Sequence, residues 1–183
     1  MQRRQAGYLC NLSRGIGFGK VKPAMEVAQR LVTSMVETRA PDIRPCTVAS
    51  GIRRKELEMF EGTGYKPVVP YTGHGVGRAV HGPPYLYEKD STVLEPGMVA
   101  TLEPMITLTS SGDLNSSIAD QYVSTEPGNE CLTTGAPQDI HLQERAGRRP
   151  GMTQSRLGCR TATGDIWRRM GIVARNSRLR GSP

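Results

Sequence analysis

From Gly73 to Pro104 the chain is broken every few residues by glycine or proline. It reads Gly73-His74-Gly75-Val76-Gly77-Arg78, His81-Gly82-Pro83-Pro84, Leu94-Glu95-Pro96-Gly97-Met98 and Thr101-Leu102-Glu103-Pro104. Proline removes a backbone donor and glycine loosens the chain, so no long helix survives in this stretch. What remains is a set of short extended segments joined by tight turns. Two histidines and one carboxylate ride on those segments, an arrangement by which a hydrolase holds metal ligands and a proton-transfer group on rigid strand ends. His74, His81 and Glu103 are therefore the candidate catalytic residues, on condition that all three converge in one pocket.

Helical periodicity appears upstream of this region. Val21 to Glu37 predicts a helix: Pro23 suits its first turn, and Val27, Ala28, Leu31, Val32, Met35 and Val36 form a buried stripe. A second helix is expected over Thr47 to Phe60, with Val48, Ile52, Met59 and Phe60 on its apolar side and Gly62 at its end. Pro41 and Pro45 separate the two. Strands are expected at Leu9 to Ile16, Val68 to Tyr71, Met98 to Glu103, Tyr122 to Thr125 and Glu130 to Leu132. Helices and antiparallel strands in this order indicate an α+β fold, with helices on one face of a curved antiparallel sheet. The other, concave face would carry His74 and Glu103.

Charge divides the chain into two parts. The 183 residues carry a net +7, yet from Glu144 to Pro183 there are ten Arg, no Lys and two acidic residues, a local balance of +8 that leaves −1 for the rest. Residues 1–143 thus read as the folded domain. Residues 144–183 read as an Arg-rich, disordered basic tail, with at most a short helix from Asp165 to Ala174. The near-neutral domain has no basic stripe with interleaved aromatics, so no nucleic acid is expected as a partner. No apolar run approaches the roughly 18 residues that a membrane span requires, and no apolar stretch follows the basic Met1-Gln2-Arg3-Arg4-Gln5 start. Cys10, Cys46, Cys131 and Cys159 form no Cys-x-x-Cys pair. Reduced thiols and a cytoplasmic location are the expectation.

The order Gly-His-Gly, a second His seven positions on, and a Glu in an apolar strand before Pro resembles the "pita-bread" metallopeptidases. These include methionine aminopeptidase, Xaa-Pro aminopeptidase and prolidase, with creatinase as a metal-free relative. The resemblance extends upstream to Gly7-Tyr8-Leu9-Cys10-Asn11-Leu12-Ser13-Arg14 and downstream to Ala119-Asp120-Gln121-Tyr122-Val123-Ser124-Thr125. It implies a partial pita-bread fold that begins inside the first half of the domain, and pairing of two copies as a homodimer. It also implies a peptide or small amide substrate and a divalent metal, manganese or cobalt. By the same resemblance His74 and Glu103 are metal ligands, Glu103 also shuttles the proton, and His81 contacts the scissile carbonyl.

Three ligand positions depart from the family pattern. Asn11, a neutral amide, stands where the family carries a bridging aspartate. Ala119 replaces the last bridging glutamate, and the first aspartate falls upstream of the chain. Asp120 could stand in for Ala119 only through a register shift, because neighbouring strand residues point to opposite faces; the alternative is a solvated or turn-capping carboxylate. Hard divalent cations are held by several anionic oxygens, so impaired metal binding is the expectation. Two other readings follow: a creatinase-like, metal-free hydrolase with His74 as base, and a non-catalytic remnant or binding module.

Overall fold

The first helix owes its start to Pro23, which lacks the N–H that a helix leaves unbonded at that position. In the computed structural model, which describes residues 2–5, 7–108 and 115–143, this helix α1 spans Pro23–Arg39. Ala28, Gln29, Val32, Met35 and Val36 form its buried face. Val27, expected in that stripe, is 45% exposed. Helix α2 runs Ala49–Glu58, shorter than the expected 47–60. Val48 is instead extended and forms an isolated bridge with Val93. The loop that carries Val93 also caps α2: Ala49 and Ser50 donate their backbone N–H groups to the carbonyls of Thr92 and Asp90.

Among the described residues, twelve strands accompany the helices. They are β1 (Gln2–Gln5), β2 (Tyr8–Asn11), β3 (Ile16–Phe18), β4 (Tyr65–Pro67), β5 (Tyr71–Gly75) and β6 (Gly82–Tyr87), then β7 (Val99–Leu102), β8 (Met105–Leu108), β9 (Asn115–Ser117), β10 (Asp120–Thr125), β11 (Gly128–Cys131) and β12 (His141–Gln143). The main sheet has five antiparallel strands in the order β11-β10-β7-β5-β6. Three smaller sheets pair β1 with β2, β3 with β12, and β4 with β8 and β9. The result is the expected α+β class, its sheets antiparallel except for the parallel β3–β12 pair.

Two strand expectations need correction. The strand placed at Val68 to Tyr71 is a connection: Val68 is 46% exposed, Pro70 is exposed, and pairing resumes only at Tyr71. Pro67 and Pro70 explain this, since proline cannot donate to a ladder. The single strand placed at Leu9 to Ile16 is broken after Asn11 and resumes as β3, which joins a different sheet. The basic segment 144–183, with its expected helix at Asp165 to Ala174, lies outside the described residues.

Alternation along the central strand separates the two faces of the main sheet. Leu102 and Leu86 pack into the core with Val32, Met35, Val36 and Ile52 of the helices. Thr101 and Glu103 therefore project to the opposite face, where Thr101 is cross-strand partner of Gln121. That second face carries the candidate site.

Candidate active site

Gly73 and Gly75 flank His74 for a steric reason. A Cβ at Gly73 would lie 1.9 Å from the carbonyl oxygen of Thr101, and one at Gly75 would lie 2.1 Å from that of Pro83. Both glycines let neighbouring backbones close on the strand that carries the imidazole. Register shifts in β5 on either side of His74 then re-aim the ring. Its backbone is clamped by Thr101, whose Oγ1 accepts from His74 N–H at 3.3 Å and donates to His74 C=O at 3.4 Å. Thr101 has no signature of its own in the sequence; only the strand register reveals it.

The His74 ring is completely buried. Nδ1 lies 3.1 Å from the carbonyl oxygen of Gly75. A carbonyl can only accept, so Nδ1 carries a hydrogen, and in the neutral form of the ring Nε2 is the lone-pair nitrogen. Nε2 has no hydrogen-bond partner. It stands 3.5 Å from Glu103 Oε2, beyond the range of a well-made hydrogen bond but within ion-pair distance. His81, exposed on the loop after β5, lays its ring over that of His74 with centroids 4.3 Å apart. Tyr71 meets the same imidazole edge-on at 6.3 Å. The structure thus brings His74, His81 and Glu103 together.

Glu103 is held by its neighbours. Asn11 Nδ2 donates to its Oε2 at 2.9 Å, and its backbone N–H donates to Thr72. Burial alone would push this carboxyl up; hydrogen bonding from the His74 and Asn11 side chains, with the charges of His74 and then His81, outweighs burial and holds it below its ordinary range. Asn11 is fixed in turn by Gln121, whose Oε1 accepts the Asn11 backbone N–H at 3.2 Å. Gln121 is a second supporting residue that the sequence reading missed.

Asp120 lies elsewhere. It pairs with Leu102 of β7 and so shares the core-facing side, away from Gln121. It is almost wholly buried, so the solvated reading of this carboxylate is overturned. Its oxygens accept from Arg14 Nη2 at 2.6 Å, Thr133 Oγ1 at 2.5 Å and Gln138 Nε2 at 2.7 Å. Ala119, fully buried, brings no donor atom.

Among the described residues no group of three or more His, Cys, Asp or Glu is placed to hold a metal ion. His74 Nε2 and the Glu103 carboxylate are the two free donors, and one oxygen of that carboxylate already accepts from Asn11. Zinc takes about four protein or water ligands and larger hard cations about six to eight, largely anionic oxygen. The residues present do not fit a two-metal centre. Beside the site, a cavity of about 380 Å³ opens along the loop between the histidines, lined by Gly75, Val76, Arg78, Pro84, Met98 and Val99 among others. That is room for a short peptide or small amide.

Helices packed on one face of an antiparallel sheet, with a His-Glu pair under a second His on the other, give the architecture of the pita-bread fold class. Residues 3–126 match Metallopeptidase family M24, and the chain belongs to that family. It is 30% identical over 137 residues to the uncharacterized peptidase YqhT of Bacillus subtilis, covering 74% of this chain and 38% of the relative. It is 39% identical over 70 residues to the methionine aminopeptidase of Salmonella typhimurium, covering 36% of this chain and 25% of that one. Among solved structures, the Xaa-Pro dipeptidase from Bacillus anthracis superposes with a TM-score of 0.68 at 27% identity, over 75% of this chain and 38% of that one. The X-Pro aminopeptidase from Thermotoga maritima shares the fold, with a TM-score of 0.70 at 22% identity over 78% and 39%. The chain spans about two fifths of the length of three of these peptidases and matches a quarter of the methionine aminopeptidase. No helix of the described residues is long and apolar enough to cross a membrane.

Proposed function

We propose that the site acts on the amide bond at a peptide N-terminus, as an aminopeptidase or Xaa-Pro peptidase does, with impaired uptake of manganese or cobalt. The observation that carries this reading is His74 Nε2 standing 3.5 Å from Glu103 Oε2 beneath His81, on the site face of the sheet. A divalent cation, were one taken up, would be held by His74 and Glu103 and would supply a water of lowered pKa. His81 contacts the scissile carbonyl and Glu103 moves the proton. The neutral amide of Asn11 and the methyl of Ala119 support the impaired-metal part. Free Cys10, Cys46 and Cys131 fit a cytoplasmic setting, and a second copy could cover exposed sheet edges.

One observation favours a metal-free variant. The Nδ1–H bond to Gly75 leaves the Nε2 lone pair to take a proton from a water, while Glu103 stabilises the imidazolium that forms. Hydroxide adds to the carbonyl carbon, the carbon–nitrogen bond breaks, and His74 returns the proton to the departing amine.

Calorimetric titration with manganese chloride should show less than one equivalent bound, together with weak or no cleavage of Met-x and x-Pro peptides. Tight uptake of two equivalents would overturn the impaired-metal reading. Turnover that persists in chelator and vanishes in His74→Ala identifies the metal-free route; turnover lost in chelator identifies the metal-dependent one.

A further inference from the structure

Away from the histidines, the most exposed large apolar side chains among the described residues, Phe18, Leu142 and Ile16, all lie on the seam between β3 and β12. On one side of that seam Leu142, Val21 and Ile140 close over the bare backbone of Gly17, where a Cβ would lie 2.6 Å from Val21 Cγ2. These three side chains floor a cavity of about 220 Å³, walled by Glu26, Gln29 and Arg30 of α1. A second cavity of about 510 Å³ shares Val21, Gln29 and Ile140 with it and reaches Phe18, Lys20 and Lys22. Gln29 is already engaged by the Gln138 carbonyl and the Ser116 hydroxyl, so the floor asks for apolar atoms. Contiguous exposed apolar surface with a charged rim marks a place where another segment packs.

Charge is sorted along this groove. Glu26 and Asp139 stand at the smaller cavity beside Arg30, and Lys20 and Lys22 at the larger one. Among the described residues neither carboxylate and neither lysine has an ion-pair partner. The chain itself carries a segment of matching pattern. Written as a helix, residues 165–174 put Ile166, Trp167, Met170 and Val173 on one face, with Arg168 and Arg169 on its two flanks and Asp165 at its start. That segment is also tethered at the groove. β12 ends at Gln143, one residue past Leu142, and only residues 144–164 intervene. A coil of about twenty residues has a root-mean-square span of roughly 25 Å, which holds its far end at millimolar effective concentration, so even a weak contact stays closed. We infer that residues 165–174, which lie outside the described ones, dock their apolar face on Val21, Ile140 and Leu142. Arg168 and Arg169 then meet Glu26 and Asp139, and Asp165 turns toward Lys20 and Lys22. The basic tail is thereby a strap that closes the seam.

Trp167 is the one tryptophan of the chain, so its fluorescence in the full-length protein reads the docking directly. Acrylamide should quench Trp167 at least threefold less in the native chain than in urea, to the same extent at every protein concentration. Leu142→Glu, which sets a charge on the groove floor, should remove that protection. Glu26→Arg, on the exposed rim of α1, should lower it at least twofold, whereas the same charge reversal on α2, Glu58→Arg, should leave it unchanged. Should Leu142→Glu lose its cooperative melt, the two charge reversals decide. Quenching as efficient in the native chain as in urea overturns the strap. So does protection that survives both groove substitutions, which puts the segment elsewhere, and so does an equal loss in Glu58→Arg, which reduces the effect to overall charge. Protection that grows with protein concentration gives the groove to the tail of a second copy and overturns docking within one chain.

Discussion

Two carboxylates of the sheet, Asp120 and Glu103, live under opposite rules. Asp120 accepts from Arg14, Thr133 and Gln138, with both of its oxygens engaged. Arg14 is equally occupied, donating also to the carbonyls of Ser13, Ala119 and Ala136. Glu103 has one firm donor, Asn11, and faces an imidazole nitrogen that bonds to nothing. A fully bonded buried charge holds strands together, whereas a partly bonded one beside an orphaned atom is set to receive something from outside.

Breaking the first cluster should have the largest effect. Asp120→Ala leaves Arg14 without its counter-charge and should cost about 3 kcal/mol, the low end for a buried pair because Arg14 retains some solvent; urea unfolding measures it. Gly73→Ala comes next, at about 2 kcal/mol, since its methyl must push the β7 backbone away. The same melt reads that loss, and the signals of His74 should shift with it.

Smaller effects belong to the Glu103 cluster. Asn11→Asp sets two carboxylates within hydrogen-bond reach, so the pair should share a proton at the cost of about 1.4 kcal/mol per unit of pKa rise. Thermal melts at pH 7 should drop, and manganese should recover the loss if the second carboxylate rebuilds a cation site. Glu103→Gln should move stability least at neutral pH but alter its acid limb. The carboxyl pKa is depressed in the folded state, so its contribution is whole above the ordinary value of 4.5 and fades as pH falls through the depressed one. In Glu103→Gln that fading should be absent from melts recorded between about pH 5 and 2.

The sequence was most legible where punctuation was densest. Between Gly73 and Glu103, glycines and prolines left little freedom, and His74, His81 and Glu103 come together as the pattern required. Prolines also misled. Pro83 and Pro84 hid β6, an edge strand of the main sheet. Asp120 looked ambiguous because its partners lie 106, 13 and 18 residues away in the chain. Periodicity is local information, and a salt bridge between distant strands leaves no trace in it. Gln121 and Thr101 were invisible for the same reason: their roles come from cross-strand register.

The parallel pairing of β3 with β12 joins Ile16, Gly17 and Phe18 to His141, Leu142 and Gln143. A nascent chain holding the first of these partners must wait for more than a hundred further residues before the second leaves the ribosome. During that interval Ile16 and Phe18 have no mate, and closing so long a loop is slow. Even when paired, Phe18 remains 70% exposed and Leu142 61%. Yield on expression should therefore hinge on this seam more than on the pocket around His74, with chaperone demand set by how long the seam stays open.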